Sequence, residues 1–170
     1  MRADATAERI RGLLVELGRR AAPGTSLYLA GGASAVLVGW RDSTHDVDLT
    51  IDGDADPILR AIAELKERLD INVELAGPQH FLPVPDWRQR SVSVGKYGNL
   101  AVYHTDFTLQ ALAKLQRGFD QDLADVQAMT DRGLTGGPQL RALLDRIEPD
   151  LYRTPTVDRD RLRAAVRRIP

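Results

Sequence analysis

Two aspartates, two positions apart, are the first residues in this sequence whose spacing could support chemistry. Residues 46–51 alternate between polar and apolar side chains, which is the pattern of a half-buried β-strand. Asp46 and Asp48 therefore point to one face of that strand, while Val47 points to the other. Neighbouring carboxylates repel each other, and a bound divalent cation relieves that repulsion. Because carboxylate oxygens are the hard ligands that Mg²⁺ prefers, the pair is a candidate magnesium site.

A third carboxylate is available on the next predicted strand. Residues 71–75 alternate in the same way, and Glu74 lies on their polar face. If the two strands are neighbours in a sheet, Glu74 lies beside Asp46 and Asp48. Three acids around one point can hold two cations, the arrangement used for in-line phosphoryl transfer. The alternative interpretation is a solvated strand face, which is the usual role of such a short motif.

A pair of glycines precedes the aspartates. Gly31 and Gly32 lie between an apolar strand over 26–30 and a predicted helix over 33–40. Glycine lets a backbone approach a ligand closely, and the exposed N–H groups at a helix start favour a phosphate. Ser34 could add a hydroxyl donor. A Gly-Gly pair alone is usually only a turn, so the informative feature is its position ahead of Asp-x-Asp.

A second group of charged residues lies further along the chain. Lys114 and Arg117 are three positions apart, as are Asp122 and Asp125, so each pair shares one face of a helix. Cations and carboxylates come close whether the helix continues through Gly118 or breaks there. A lysine suits a triphosphate, and Asp125 could orient that lysine or act as a base. From the residues alone, ion pairs on a solvated helix face are the favoured explanation.

The elements that position these residues follow from hydrophobic periodicity. The pattern predicts helices over 10–17, 58–69, 106–114 and 122–129, strands over 26–30, 46–51 and 71–75, and a hairpin of 91–94 with 100–103. An irregular loop is predicted over 76–89, which contains three prolines. The order is α/β in the first two thirds and helical afterwards, with a break at 133–138.

Composition limits the class of protein. The chain has 170 residues, enough for one domain, with 43% hydrophobic and 28% charged residues. Its net charge of -1 says nothing about nucleic acid, so any attraction must be local. The absence of cysteine excludes disulfides and thiolate zinc sites. No apolar run approaches the roughly 20 residues of a membrane span, and the expectation is a cytoplasmic protein without a membrane partner.

Other residues that could have carried chemistry are interpreted as structural or solvated. The three histidines lack the spacing of metal ligands: His45, His80 and His104. The C-terminal segment 159–168 carries five arginines beside an apolar stripe. Such a basic amphipathic helix could contact an RNA backbone, although a solvated helix face is slightly favoured.

The glycine pair and the aspartates together resemble a known signature. The stretch 29–49 resembles that of the nucleotidyltransferase superfamily, a glycine turn followed by Asp-x-Asp. Arg41 and Ser43 form an Arg-x-Ser/Thr element ahead of the aspartates, which looks like the AbiEii and MenT type of nucleotidyltransferase toxins. The run 114–126 is similar to that family's second signature, where a lysine, an arginine and an Asp-x-x-Asp pair close the site. The resemblance covers about residues 25–130.

The resemblance implies an α/β (α+β) fold, with a mixed β-sheet flanked by helices and a helical C-terminal part. We expect a single domain with its core in 1–133 and a C-terminal helical extension, 134–170, packed on it. The implied activity is that of an enzyme, a nucleotidyltransferase that needs Mg²⁺ or Mn²⁺ and transfers NMP from an NTP, such as ATP or CTP, to an acceptor hydroxyl.

The resemblance also implies residue roles. Catalysis falls to Asp46, Asp48, Lys114 and Asp125; metal binding to Asp46, Asp48 and Glu74; and nucleotide binding to Gly31, Gly32, Ser34, Arg41, Ser43, Lys114 and Arg117. In the toxin branch the acceptor is the 3′ end of tRNA, and its modification blocks translation. A cognate antitoxin is then expected as a partner, and some antitoxins phosphorylate a residue beside the aspartates, here Thr44 or its neighbour Ser43.

Other functions remain open from the sequence. The acceptor could be a small molecule such as an aminoglycoside. The chain could be a nucleotide-binding module without transferase activity, although both aspartates are present. It could also be a protein that mainly pairs with a partner, which a large exposed apolar patch would favour.

Overall fold

The computed structural model describes residues 3–170, which fall into two compact units. The first unit contains residues up to Gly77 together with Ser91–His104, and the second contains Pro78–Arg90 and Thr105–Pro170. This division differs from the boundary at residue 133 that the sequence suggested. The Gly133 segment is a turn between helices of the same unit, because the helix before 118 packs against those that follow the turn.

The first unit is built on a mixed β-sheet, as predicted. Its strands are β1 (Ala5–Thr6), β2 (Thr25–Ala30), β3 (Ser43–Thr44), β4 (Asp46–Asp52), β5 (Asn72–Leu75), β6 (Val92–Tyr97) and β7 (Leu100–His104). Five of them form one sheet in the order β5-β4-β2-β7-β6. Strand β2 is antiparallel to β4 and parallel to β7, β4 is parallel to β5, and β6 is antiparallel to β7. Strands β1 and β3 form a separate antiparallel pair that the sequence pattern did not predict.

Three helices of this unit contribute to its apolar core: α1 (Ala7–Arg20), α2 (Gly31–Val38) and α3 (Asp56–Arg68). Pro57 lies in the first turn of α3, where its lack of an N–H costs no helical hydrogen bond. The core also contains Val47 and Leu49 of β4. Because side chains alternate along a strand, Asp46 and Asp48 lie on the opposite face of the sheet.

The second unit is helical. Its helices are α4 (Trp87–Arg90), α5 (Phe107–Arg117), α6 (Asp120–Asp131), α7 (Gly137–Ile147) and α8 (Arg159–Arg167), with short 3₁₀ helices at Pro78–His80 and Glu148–Arg153. Helix α5 packs against α6, α7 and α8. The Asp106 side chain accepts a hydrogen bond from the Thr108 amide at 3.1 Å and so caps α5, which begins close to the start of the helix predicted over 106–114. Gly118 ends α5 with a left-handed φ of 71°.

The segment 76–89 is more ordered than its prolines suggested. It contains part of α4 and a 3₁₀ helix, and Asp86 accepts two hydrogen bonds from Arg146, at 2.5 and 2.9 Å. These bonds lower the pKa of the Asp86 carboxyl below its ordinary value. Next to it, Arg90 donates from Nε to Asp106 at 2.6 Å. The partners of Asp86 and Arg90 lie far along the chain, so local sequence patterns could not show this order.

Two smaller differences concern strand and helix bounds. Strand β6 continues to Tyr97, beyond the predicted end at residue 94, because the pairing with β7 shifts register between Ser93 and Gly95. Helix α6 begins before residue 122 and ends after residue 129. In the described part of the chain, no helix combines the length and the hydropathy that crossing a membrane requires.

A close helix–strand contact in the first unit gives a test of the fold. A β-carbon on Gly18 of α1 would overlap the carbonyl oxygen of Tyr97, whereas one on Gly12 of the same helix meets no described atom within 4 Å. We expect Gly18→Ala to destabilise the protein by about 1–3 kcal/mol through overpacking. The matched change Gly12→Ala should stabilise it by roughly 0.5–1 kcal/mol, because alanine favours a helix over glycine. Urea unfolding measures both, and equal stability of the two variants would contradict the contact.

Candidate functional site

The two aspartates lie on one face of β4, as the alternating pattern predicted. Val47 between them is fully buried in the core, while both aspartates are partly exposed. In the sheet, Asp48 is the register partner of Ala30 on β2 and of Glu74 on β5. Strands β4 and β5 are therefore neighbours, and Glu74 lies beside Asp48 on the same face, as the sequence suggested.

The glycine pair lies directly against this strand. Helix α2 begins at Gly31 itself, so the glycines form the first turn of the helix and not a separate turn before residue 33. Gly31 has a φ of 56°, and a β-carbon there would lie 2.8 Å from Asp48 Oδ2. A β-carbon on Gly32 would overlap Thr44 Oγ1. Glycine is thus required at both positions because polar side chains approach the start of the helix.

Asp46 is held at two points. Asn72, its register partner on β5, donates from Nδ2 to Asp46 Oδ1 at 2.5 Å. The Thr44 hydroxyl donates to the Asp46 carbonyl oxygen at 3.1 Å. The sequence-based interpretation missed Asn72. Its signal is its position two residues before Glu74, which places both side chains on the polar face of β5.

The segment before Asp46 is tied to the N-terminal strand. Ser43 donates from its hydroxyl to Asp4 Oδ2 at 3.3 Å, and His45 Nδ1 lies 2.5 Å from Asp4 Oδ1. Arg41 is partly buried ahead of this segment. The nucleotide-binding roles of Arg41 and Ser43, and the phosphorylation of Thr44 or Ser43, stay predictions.

Ser34 lies inside the first unit, and its role as a phosphate donor stays a prediction. It is fully buried, and its hydroxyl donates to the Leu29 carbonyl oxygen at 3.2 Å. The Ser34 hydroxyl oxygen also lies 3.0 Å from His104 Nδ1. The sequence could not show this, because Ser34 is turned inward by the packing of α2 on the sheet. Burial lowers the pKa of His104 to about 4, so the imidazole is neutral near pH 7.

The donor chemistry of the first unit fits a divalent cation. Asp46, Asp48 and Glu74 supply carboxylate oxygens on one face of two adjacent strands. Among residues 3–170, however, no three acidic, histidine or cysteine side chains form a ready-made metal cluster. To hold a cation with all three acids, their side chains must therefore converge. Glu74 is exposed, so core packing does not prevent its side chain from moving toward Asp48.

The second unit brings together the other predicted charged residues. Lys114 Nζ lies 2.6 Å from Asp125 Oδ2 and 3.4 Å from Asp122 Oδ1. Arg117 donates to Asp122 at 2.6 and 3.1 Å. Because α5 ends at Gly118, these bonds run between α5 and α6. Lys114, Asp122 and Asp125 are 4%, 5% and 0% exposed, so these three residues form a buried network and not a solvated helix face, whereas Arg117 is exposed.

The remaining charged candidates have mainly structural contacts. His45 and His80 are exposed, in agreement with their interpretation as solvated. On α8, Arg161 donates to the Arg117 carbonyl oxygen at 3.2 Å, and Arg163 pairs with Glu148. Leu162 and Val166, in the apolar stripe of α8, are buried.

Residues 13–162 match the model of a family described as nucleotidyltransferase of unknown function (DUF6036). The chain belongs to this family. A crystal structure of an antigenic nucleotidyltransferase-like protein from Paracoccidioides brasiliensis is similar to it, with a TM-score of 0.50 and 15% identity over 97% of this chain and 95% of that chain. At that identity the likeness shows the shared fold. No curated protein matches the chain significantly.

Membership of the nucleotidyltransferase family agrees with the expectation drawn from the glycine pair and Asp-x-Asp. The family description indicates a nucleotidyltransferase, a class of transferase that uses an NTP. Neither comparison identifies the narrower AbiEii and MenT type. That type, its tRNA acceptor and its antitoxin stay predictions.

The buried His104 makes the stability of this family member depend on pH. Below about pH 6.5 the unfolded chain takes up a proton at this residue, whereas the folded protein does so only near pH 4. Stability is therefore lost as pH falls, and we expect His104 to account for a loss of about 2 kcal/mol between about pH 7 and about pH 5. Urea unfolding of the wild type and of His104→Gln at both pH values measures this. The variant should lose less stability on acidification, and an equal loss in both proteins would contradict the assignment.

Breaking the buried network in the second unit should be costly. Lys114→Met leaves the carboxylates of Asp122 and Asp125 without the lysine, and we expect a loss of about 3–5 kcal/mol. A matched change in the same unit is Arg153→Met, which removes an exposed ion pair with Asp150. That variant should unfold at nearly the same urea concentration as the wild type, because exposed ion pairs contribute little. Urea unfolding compares the two variants. Similar losses of stability in both would show that the buried contacts of Lys114 with Asp122 and Asp125 do not contribute more than an exposed ion pair.

Proposed function

We propose that this chain transfers a nucleoside monophosphate from an NTP to an acceptor hydroxyl, in a reaction that depends on Mg²⁺. The observation that carries the proposal is the contact of the Asp48 carboxylate with Gly31 at the start of α2, with Asp46 on the same strand face. A helix start favours phosphate, and paired carboxylates favour a divalent cation. A magnesium–NTP complex presents both groups together, which is why this arrangement suits it.

In the proposed reaction the acceptor oxygen forms a bond to the α-phosphorus. The bond from that phosphorus to the oxygen that bridges to the β-phosphate breaks, and pyrophosphate leaves. The hydroxyl proton passes to a carboxylate, for which Glu74 beside Asp48 is our candidate in the first unit. Asp46 and Asp48 would hold Mg²⁺, which when bound neutralises developing charge on the phosphate oxygens. The backbone of Gly31 and Gly32 would bind phosphate oxygens.

The proposal for the second unit rests on its sequence signature. Lys114 and Arg117 remain proposed nucleotide-binding residues, with Asp125 as the residue that orients Lys114. The 2.6 Å contact between Lys114 and Asp125 supports the orienting role. A general-base role for Asp125 has less support, because its carboxylate is fully buried and bonded to Lys114.

For the acceptor we propose RNA, and specifically the 3′ end of tRNA, with the chain acting as a translation-blocking toxin controlled by an antitoxin. The support is the resemblance of the Arg41-to-Asp48 segment and of the 114–126 segment to the toxin signatures. Exposed arginines of the C-terminal helix and the residue after it add local positive charge for a phosphate backbone: Arg159, Arg161, Arg167 and Arg168.

Variants of β4 test the transfer. The protein is incubated with each α-³²P-labelled NTP, Mg²⁺ and total tRNA, and label in RNA is counted. We expect Asp46→Asn and Asp48→Asn to lower the rate at least about 100-fold, because each removes a charged ligand of the cation. Asp52→Asn is the matched control, since it makes the same change on the same face of β4, four residues from Asp48. It should keep near wild-type activity.

The other outcomes separate the alternatives. Label that enters a small acceptor such as an aminoglycoside, and no RNA, would support the same chemistry with another acceptor. Tight NTP binding without transfer to any acceptor would indicate a binding module. If the wild type neither binds nor transfers any NTP, the proposed function is wrong.

A further inference from the structure

The amide of Asn72 donates a hydrogen bond to the Asp46 carboxylate. Asn72 lies on β5 directly opposite Asp46 on β4, and its Nδ2 lies 2.5 Å from Asp46 Oδ1. Both residues are partly exposed, on the sheet face that also carries Asp48 and Glu74. The amide therefore belongs to the carboxylate cluster by position, although it is not an acid.

The direction of this hydrogen bond is set by chemistry. An ionised carboxylate can only accept hydrogen bonds, whereas an asparagine side chain carries a donor and an acceptor at opposite ends of its amide. The nitrogen must therefore face Asp46, because the amide oxygen would meet the carboxylate as a second acceptor. The oxygen and nitrogen of an amide are similar in shape, so shape alone does not distinguish the two orientations of Asn72; the hydrogen bond does.

The bond restrains Asp46 without neutralising it. A lysine at position 72 would also donate, but its charge would cancel the one that attracts a cation. The neutral amide of Asn72 keeps the full negative charge of Asp46 and occupies Oδ1. The Thr44 hydroxyl bonds the Asp46 carbonyl oxygen at 3.1 Å, so the backbone and the side chain of Asp46 are restrained from two different segments.

We infer that Asn72 is a positioning residue for the cation site: it holds Asp46 Oδ1 so that Oδ2 serves as the ligand. The inference rests on the proposed function, because it concerns the same site. Hydrogen bonds from outer groups to metal-binding carboxylates fix their orientation, and their removal commonly costs 10–100-fold in metal affinity. Asn72 therefore acts through Asp46 and does not touch the NTP or the acceptor.

A direct binding measurement tests this without relying on turnover. Mn²⁺ is titrated into the full chain in the presence of a non-hydrolysable NTP analogue, and the EPR signal of free Mn²⁺ gives the affinity. The variants are Asn72→Ala and Asn72→Leu, the second of which keeps the shape of asparagine without its N–H. Asn72→Gln keeps an amide donor and serves as the conservative variant. Asp46→Asn defines the loss of the ligand itself.

The chain offers a matched control, because it contains one other asparagine. Asn99, in the same unit, donates from Nδ2 to the Ala21 carbonyl oxygen at 3.1 Å, in the turn between β6 and β7. Asn99→Ala thus removes an amide hydrogen bond away from the carboxylates. Thermal unfolding of all variants shows whether Asn72→Ala or Asn72→Leu loses more fold stability than this control, and the variant with the smaller loss is used for binding.

We expect Asn72→Ala and Asn72→Leu to weaken Mn²⁺ binding about tenfold, with Asn72→Gln weakened less and Asn99→Ala unchanged. Wild-type affinity in Asn72→Leu, together with a loss in Asp46→Asn, would overturn the positioning role and leave the proposed function intact. A wild-type chain that binds no Mn²⁺ with any NTP analogue would overturn both, so the two failures are distinguishable.

Discussion

The contact between the Asp48 carboxylate and the start of α2 is the constraint on which this site depends. Gly31 and Gly32 carry no β-carbon, and only for that reason can Asp48 and the Thr44 hydroxyl lie against the first turn of the helix. The contact in turn needs β2 and β4 to pair with Ala30 opposite Asp48, since that register places the end of one strand beside the carboxylate of the other. One antiparallel strand pair and two glycines without a β-carbon thus bring the start of α2 and the acidic face of β4 together.

The two faces of the sheet differ, since one packs against the apolar core and the other carries the carboxylates. Val47 and Leu49 are fully buried in the core, and their packing holds β4 in place. The opposite face accumulates negative charge at Asp46, Asp48 and Glu74, which costs stability when no cation is bound. Donors on neighbouring segments offset part of that cost. Such an arrangement is typical of functional sites. Local repulsion persists there because the rest of the fold is stable enough to offset its cost.

In the second unit, the carboxylates are paired with cationic side chains. Lys114 and Asp125 are buried, and with Arg117 and Asp122 they form a network of two cations and two carboxylates. A buried ion pair adds little net stability compared with apolar packing, but leaving one partner alone is costly. The network therefore makes the arrangement of α5 and α6 specific. Because its ion pair with Asp125 is buried, Lys114 cannot easily exchange that carboxylate for another anion.

Local spacing determined which residues share a face and where several elements begin and end. The alternation of 46–51 placed Asp46 and Asp48 together, and Asp106 marked the start of α5, because both depend on neighbours within a few positions. Only the tertiary structure decided the burial of Ser34, the amide bond of Asn72 to Asp46 and the burial of Lys114. These depend on which strands pair and which helices pack. Residues that meet in this way lie far apart in the sequence, as Ser34 and His104 do at a separation of 70 positions. A single sequence carries no local signal for such contacts.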